Sequence, residues 1–261
     1  MLKIVADPDT TPDHMSPEEW QARCDLAACY RLTDMYGWSD LFGTHISLRV
    51  PGTDHFLLNP YGMLFEEITA SSLIKVDEEG NVLDRSDYPI NPAGFTIHSA
   101  VHMSAQHMNA VMHTHTRAGN AVACMRDGLL PNNQKALTML PFVAYHDYES
   151  IAVNLEERER IVRDLGDSRV LVLRSHGLMS VGRTVGEAFL WMARMESACS
   201  YQMAILSTGQ EIQPINEDIQ QLVMEQSRAI FERDSFGSSR ETEWQAMLRK
   251  LERAQGRDWM Q

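Results

Sequence analysis

The sequence predicts an α/β domain in which helices pack on a largely antiparallel sheet. Short apolar runs occur in pairs separated by turn residues, which is typical of hairpins, and stripes with helical spacing lie between these pairs. The 261 residues are 44% apolar, enough to fill one sizeable core. Internal repeats and low-complexity segments are absent from the sequence. We therefore expect one main domain.

The first half of the chain alternates helices with hairpins. A polar arm covers residues 1–15, and Ser16-Pro17-Glu18-Glu19 then predicts a capped helix with proline at its first position. Its apolar stripe comprises Ala22, Leu26, Cys29, Leu32 and Tyr36, and the helix should stop near Gly37. The next predicted elements are hairpins over 45–58 and 73–83, a helix over 93–107, a strand over 110–115 and a helix over 119–125.

The second half is predicted to be mostly helical around two further strands. Residues 137–145 look extended, and the apolar runs 170–173 and 178–181 are strands. Helices are predicted over 155–165, 184–207, 216–233 and 239–254. We expect residues 16–210 to form the main domain and residues 211–261 to add helices to it or to an oligomer interface.

Charge and composition exclude two classes of partner. With 36 acidic and 23 basic residues the net charge is −13, which would repel the phosphate backbone of a nucleic acid. No apolar run approaches the roughly 18 residues that a membrane helix needs. The four cysteines form no C-x-x-C pair, and residues 1–9 lack the apolar region of a secretion signal. We expect a cytoplasmic, reduced protein without membrane insertion.

Three histidines suggest a metal site. His113 and His115 end the apolar run 110–112, and side chains at i and i+2 of a strand share a face. His176 ends a second apolar run and precedes Gly177, which permits a sharp turn. Three imidazoles with one open position make a catalytic zinc site. By spacing alone, however, the H-x-H pattern fits an exposed polar strand face equally well.

A second histidine pair, His98 and His102, lies one helical turn apart. Ser99 stands where a zincin motif needs glutamate, so a half-buried helix face explains this pair as well as a metal does. The sequence contains no Ser-His-Asp pattern, reactive-cysteine pattern or glycine-rich nucleotide loop that would compete with the metal hypothesis.

Several motifs resemble the class II aldolase/adducin family. They are NPYGMLFEEITASSL at 59–73, HTH at 113–115 and LRSHGL at 173–178, with AGFTIHSA at 93–100 and AYHDY at 144–148 closest to the adducin-like branch. The resemblance covers roughly residues 20–210. It implies a three-layer α/β/α fold with a mostly antiparallel central sheet. It also implies a divalent metal, usually zinc, on His113, His115 and His176, and a homotetramer with active sites near its subunit interfaces.

The sequence departs from the family's sugar-phosphate aldolases around this site. The family's acid/base glutamate follows a Ser-Ser pair, and these three positions fall on Pro92, Ala93 and Gly94. Of two residue pairs that contact phosphate in the family, one falls on Thr44-His45 and the other on Tyr61-Gly62, where only the glycine is kept. A non-phosphorylated substrate is therefore predicted, with Gly62 in the binding turn.

Two other residues are candidates for chemistry. Some lyases and decarboxylases of the family are similar in carrying a histidine at the position of His45, which could act as acid or base. The alternative is a histidine whose ring is satisfied by backbone. Arg117 could clamp a substrate carboxylate through its planar guanidinium, or form only a surface ion pair.

Two hypotheses of function remain open at this point. The first is a metal-dependent lyase for a small oxygenated molecule, acting by aldol cleavage or decarboxylation, with the enolate charge stabilised by zinc, manganese or another divalent metal. The second is a noncatalytic scaffold that keeps the fold and binds a protein partner, as adducins do in the membrane skeleton.

Overall fold

A computed structural model describes residues 3–6, 10–104, 108–151, 154–231 and 240–261. Within these ranges the chain forms eight α-helices and one sheet of seven strands. The helices are α1 (Pro17–Met35), α2 (Pro92–Ser104), α3 (Arg117–Ala123), α4 (Gln134–Met139), α5 (Glu157–Leu165), α6 (Val185–Ser207), α7 (Glu217–Phe231) and α8 (Arg240–Gln255). The strands are β1 (His45–Arg49), β2 (Phe56–Leu58), β3 (Ile74–Val76), β4 (Ala110–Thr114), β5 (Val143–His146), β6 (Val170–Leu173) and β7 (Gly177–Gly182).

The sheet has the order β3-β2-β1-β4-β7-β6-β5. Every neighbouring pair is antiparallel except β5 and β6, which are parallel. β1 and β2 form the predicted hairpin, and β4 lies at the centre between β1 and β7. The predicted α/β fold with a mostly antiparallel sheet is confirmed.

Alternation along the strands sorts side chains onto two helical layers. Ile46 and Leu48 of β1 share a core with α1 and α6 on one face. On the other face, Val111 of β4 packs with the apolar residues of α2 and α5. Antiparallel register pairs His45 with His113, so both histidines and Ser47 point toward the α2 layer. The three-layer arrangement thus sets a polar group of side chains beneath α2.

The first helix begins as the sequence predicts. The hydroxyl of Ser16 accepts a hydrogen bond from the backbone N–H of Glu19 at 3.1 Å, and Pro17 occupies the first turn. The carboxylate of Glu19 bonds to Arg23 and Lys75 in place of the reciprocal capping bond to Ser16 that a full capping box has. After Met35 the chain turns at Gly37, whose φ is 69°.

The prediction of an extended segment over 137–145 is wrong for its first part. Residues 134–142 form α4 and a short 3-10 turn, and only 143–146 are extended. The Asn133 side chain accepts from the N–H of Ala136 at 3.0 Å and caps α4, whose Leu137 and Met139 are buried. A short apolar run has no periodicity that separates a strand from a buried helical turn.

Two other predicted boundaries change. Helix α2 begins at Pro92 and ends at Ser104, and the predicted residues 105–107 lie outside the described part of the chain. Residues 82–83 contribute only an isolated bridge between Val82 and Val76. Helix α8 packs against α1 and α6, and its Trp244, Leu248 and Leu251 belong to the main core. Among the helices in the described ranges, none combines the length and the apolar character needed to cross a bilayer.

Candidate metal centre

Three imidazoles converge where β4 and β7 meet. The ligand nitrogens of His113, His115 and His176 all lie within 4.8 Å of one another. The Nε2 atoms of His113 and His115 are 2.9 Å apart, and the ring centroid of His176 lies 4.7 Å from that of His113. The sequence predicts a strand over 110–115, but β4 ends at Thr114, so His115 lies one residue beyond the observed strand and still reaches the face of His113. The structure therefore brings together the three histidines that the sequence predicts as metal ligands.

The turn that carries His176 is built for a close approach to β4. Ser175 adopts a φ of 56°, an unusual conformation for a residue with a side chain. A Cβ on Gly177 would lie 2.5 Å from the Thr114 carbonyl oxygen, so only glycine fits there. The Asn120 side-chain amide donates to the His176 carbonyl at 2.7 Å and ties the turn to α3.

Outer contacts orient two of the rings. His113 Nδ1 lies 3.0 Å from the Leu178 carbonyl oxygen, and His115 Nδ1 lies 3.0 Å from Asp40 Oδ2. Each contact requires a proton on Nδ1, which leaves a lone pair on Nε2. Two lone pairs that face each other across 2.9 Å repel unless a cation lies between them. The donor set therefore fits a divalent metal held by Nε2 atoms.

The surroundings keep His113 and His176 neutral, the form that binds metal. Burial lowers the pKa of His113 well below its ordinary range, and the neighbouring His45, His176 and His115 lower it further. Burial also lowers the pKa of His176 to about 4, with a further contribution from His115. At neutral pH these two imidazoles are available to a metal without first losing a proton.

Removing the carboxylate behind His115 should weaken metal binding without abolishing it. In Asp40→Ala, His115 loses the acceptor that orients its ring, and we expect a roughly 10- to 100-fold loss of zinc affinity. Competition with a chromophoric chelator measures this. Asp54→Ala removes a carboxylate whose side chain is 84% exposed and is the matched control. Equal zinc affinities for the two variants would contradict the assigned role.

His45 lies beside the metal ligands and is almost fully buried. Its ring centroid is 5.0 Å from that of His113. Its Nδ1 lies 2.7 Å from His98 Nε2, so the described partner of the ring is another imidazole and not the backbone. Burial lowers the pKa of His45 well below its usual value, and His98, His115 and His176 lower it further. His45 is therefore a neutral imidazole at the edge of the candidate metal site.

Gly94 leaves the space that this imidazole occupies. A Cβ at Gly94 would lie 2.7 Å from Cδ2 and 3.1 Å from Nε2 of His45. Gly94 is the position on which the family's glutamate falls. Any side chain there would collide with the present position of His45, so the missing glutamate and the histidine are structurally linked.

The structure supports less about the two other predicted site residues, Gly62 and Arg117. Gly62 has a φ of 111°, which favours glycine, and directly follows Tyr61, which lines a cavity of about 620 Å³. Asp40 and Gly43 line the same cavity. Arg117 is exposed at the start of α3, two residues after His115, and has no ion pair among those found for the described residues. The roles of Gly62 and Arg117 stay predictions.

Sequence reasoning missed a buried hydrogen-bond network beneath α2. His98 Nδ1 lies 2.5 Å from Ser47 Oγ, which lies 2.7 Å from His102 Nε2. His98, His102 and Ser47 are all at most 1% exposed, so the expected half-buried helix face is in fact fully buried. Two sequence signals pointed this way, namely the i, i+4 histidines and the i, i+2 spacing of His45 and Ser47 on β1. Only the packing of α2 on β1 brings the two pairs together.

This burial should make the metal-free protein acid-sensitive. Burial, helped by Arg49, lowers the pKa of His102 to about 3, whereas an unfolded histidine titrates near 6.5. Its contribution to stability is thus present above pH 6.5 and is lost as the pH falls toward 3. Between pH 7 and pH 5, protonation of this one group on unfolding should lower the free energy of unfolding by about 2 kcal/mol.

The variant His102→Phe should therefore show a shallower loss of unfolding free energy between pH 7 and 5. Phenylalanine keeps the ring that stacks on Phe56 at 4.6 Å but cannot take up a proton. Urea unfolding of chelator-treated protein at the two pH values gives the difference. The exposed His14, changed to phenylalanine, should leave the pH dependence unchanged. Parallel slopes for His102→Phe and the wild type would refute the expectation.

Comparison with known proteins agrees with these features. The family model for the Class II Aldolase and Adducin N-terminal domain matches residues 24–203. The chain belongs to this family. The family and fold predicted from the motifs are confirmed.

Three relatives illustrate the range of the family. A crystal structure of an aldolase II superfamily protein from Pseudomonas syringae superposes with a TM-score of 0.89 at 45% identity, covering 95% of this chain and 98% of that one. The L-fuculose 1-phosphate aldolase from Glaciozyma antarctica superposes with a TM-score of 0.79 at 25% identity, covering 96% and 97%. Mouse alpha-adducin is 47% identical over 191 residues, which are 72% of this chain and only 26% of the adducin.

Proposed function

We propose that this protein is a divalent-metal-dependent carbon–carbon lyase acting on a small oxygenated, non-phosphorylated molecule. The observation that carries the proposal is the convergence of His113, His115 and His176, with the Nδ1 atoms of the first two held by Leu178 and Asp40. A structural role alone would not need an open cavity beside such a cluster. Here, Asp40 both orients His115 and lines the cavity of about 620 Å³.

The metal ligands would hold zinc, with manganese as an alternative, since sites with three histidines accept several metals. When bound, such a metal polarises a carbonyl oxygen and stabilises the negative charge that develops in aldol cleavage and in decarboxylation. The protein surrounds this position with neutral imidazoles, because burial lowers the pKa of both His45 and His113. A neutral His45 can exchange a proton with substrate at Nε2.

The substrate side of the proposal rests on Gly62 and Arg117. The backbone turn at Gly62 lies beside Tyr61, whose ring centroid is 5.8 Å from that of Phe42 at the cavity. Arg117 presents an exposed guanidinium two residues after His115, where it could pair with a substrate carboxylate. Loss of the family's phosphate contacts at Thr44 and Tyr61 supports an unphosphorylated substrate.

A cytoplasmic homotetramer is part of the same proposal. Exposed apolar side chains lie on α6 and α7, where they could be covered by another copy of the chain. They are Tyr201, Leu206, Ile219 and Leu222. Light scattering of the purified protein should give about four times the mass of one 29.6 kDa chain. A monomer at micromolar concentration would contradict this part of the proposal.

The test is metal-dependent turnover. Protein purified without chelator should contain about one zinc or manganese per chain, and a screen of hydroxy-aldehydes and hydroxy-acids should reveal a reaction that EDTA stops and added metal restores. His113→Ala is the inactive control. Absence of bound metal, together with a melting temperature that added metal does not raise, would refute the proposal.

A noncatalytic scaffold is the second candidate. The 47% identity to alpha-adducin and the glycine at the position of the family's glutamate both favour it. The intact set of oriented histidines favours the enzyme. A protein that binds metal stoichiometrically but shows no metal-dependent turnover anywhere in the screen would favour the scaffold.

A further inference from the structure

Four side chains form a continuous hydrogen-bonded line that leads away from the candidate metal site. The line runs from His45 to His98 at 2.7 Å, from His98 to Ser47 at 2.5 Å and from Ser47 to His102 at 2.7 Å. All four are at most 3% exposed. No carboxylate takes part in these contacts.

The direction of the donors along this line must be uniform. A neutral imidazole carries one N–H and one lone pair. The buried Ser47 hydroxyl has one proton to donate, and its partners among the described residues are His98 and His102, so it donates to one of them and accepts from the other. If His45 donates to His98, then His98 donates to Ser47 and Ser47 donates to His102. If His102 donates, every bond points the other way. Which nitrogen of His45 carries the proton therefore depends on His102, at the far end of the line.

The far end favours one direction. His102 Nδ1 is buried and has no hydrogen-bond partner among the described residues. A buried N–H without an acceptor is rarer in proteins than an under-satisfied acceptor. His102 should thus carry its proton on Nε2 and donate to Ser47.

We propose that His98, Ser47 and His102 are positioning residues that hold His45 as its Nε2–H tautomer, with this N–H available to substrate at the metal site. His98 then donates through Nε2 to His45 Nδ1. His45 begins the reaction as a hydrogen-bond donor toward substrate oxygen and not as a base. The role of this N–H toward substrate rests on the proposed function, whereas the tautomers themselves do not depend on turnover.

The metal ligands provide a built-in contrast. His113 and His115 must carry their protons on Nδ1 to donate to Leu178 and Asp40. The line beneath α2 should show the opposite tautomer at each of its three histidines. One protein thus contains both patterns, only a few ångströms apart.

The experiment is long-range proton–nitrogen NMR of histidine-labelled, metal-free protein, which separates Nδ1–H from Nε2–H imidazoles. We expect Nε2–H at His45, His98 and His102, assigned by loss of each signal in the matching glutamine variant. His102→Glu places a pure acceptor at the end of the line and should switch His45 to Nδ1–H. His102→Gln, which can still donate, is the matched control and should leave His45 as Nε2–H.

The outcomes separate the two proposals. An Nδ1–H tautomer of His45 in the wild type would overturn the proposal that the line holds His45 as its Nε2–H tautomer. An unchanged tautomer of His45 in folded His102→Glu would overturn it as well. If His102→Glu does not fold, the wild-type spectrum alone decides. Metal content and turnover are measured separately, so their absence would count against the proposed function and not against the tautomer assignment.

Discussion

Replacing His113 by alanine should abolish stoichiometric metal binding. His113 is the most buried of the three ligands, and its Nε2 lies 2.9 Å from that of His115. The two remaining imidazoles, both partly exposed, are too few ligands for a stable site. At a free metal concentration of 100 times Kd, the wild type gains about 2.7 kcal/mol of stability, and the variant should lose this gain.

Metal analysis and melting curves with and without zinc measure both effects. His14→Ala is the matched control, because His14 is exposed and lies outside the cluster. It should retain the wild-type metal content and the full zinc-dependent shift in melting temperature. A His113→Ala protein that still binds one metal per chain would show that the three histidines are not the site.

Adding a single methyl group at Gly94 should remove most activity while leaving the metal in place. The new Cβ would lie 2.7 Å from Cδ2 of His45 and force the ring out of its position. General acid–base groups typically contribute about 10²- to 10⁴-fold to rate, so we expect turnover in Gly94→Ala to fall on the order of 10²-fold or more. The helix itself should not suffer, because alanine is the better helix former by about 1 kcal/mol.

The measurement is turnover of the substrate found in the screen, with metal content determined in parallel. Ser104→Ala, at the other end of α2, is the control for a small change on the same helix and should keep wild-type turnover. His45→Gln should resemble Gly94→Ala. Full activity in Gly94→Ala would mean that His45 does not act in the reaction from its present position.

The geometry around Gly94 also explains how this chain differs from relatives that carry glutamate there. Family sugar-phosphate aldolases are expected to use that glutamate as acid/base. Here the space is taken by an imidazole that enters from β1, beneath α2. The proposed enzyme therefore keeps the metal ligands and supplies proton transfer from strand β1 instead of helix α2. This arrangement suits a reaction in which the metal would stabilise the negative charge and the neutral His45 would donate a hydrogen bond to the substrate.

Local patterns in the sequence determined most of the framework. The Ser16-Pro17 start of α1 follows from capping chemistry, and the β1–β2 hairpin follows from apolar runs around turn residues. The i, i+2 spacing of His113 and His115 predicted that their rings meet. These features depend on neighbours within a few residues, and so they can be read from the chain.

The tertiary structure alone decided the rest, because the deciding contacts join residues far apart in sequence. Asp40 reaches His115 across 75 positions, and His98 reaches His45 across 53. No local pattern encodes that the two histidines of α2 pack on the inner face of β1. Nor does one encode that the absence of a side chain at Gly94 leaves room for the His45 ring. Likewise, residues 137–142 became helical because an Asn133 cap and packing on α6 outweighed their extended appearance. Which histidines could bind a metal can thus be read from their spacing along the chain, whereas the groups that surround them follow from packing.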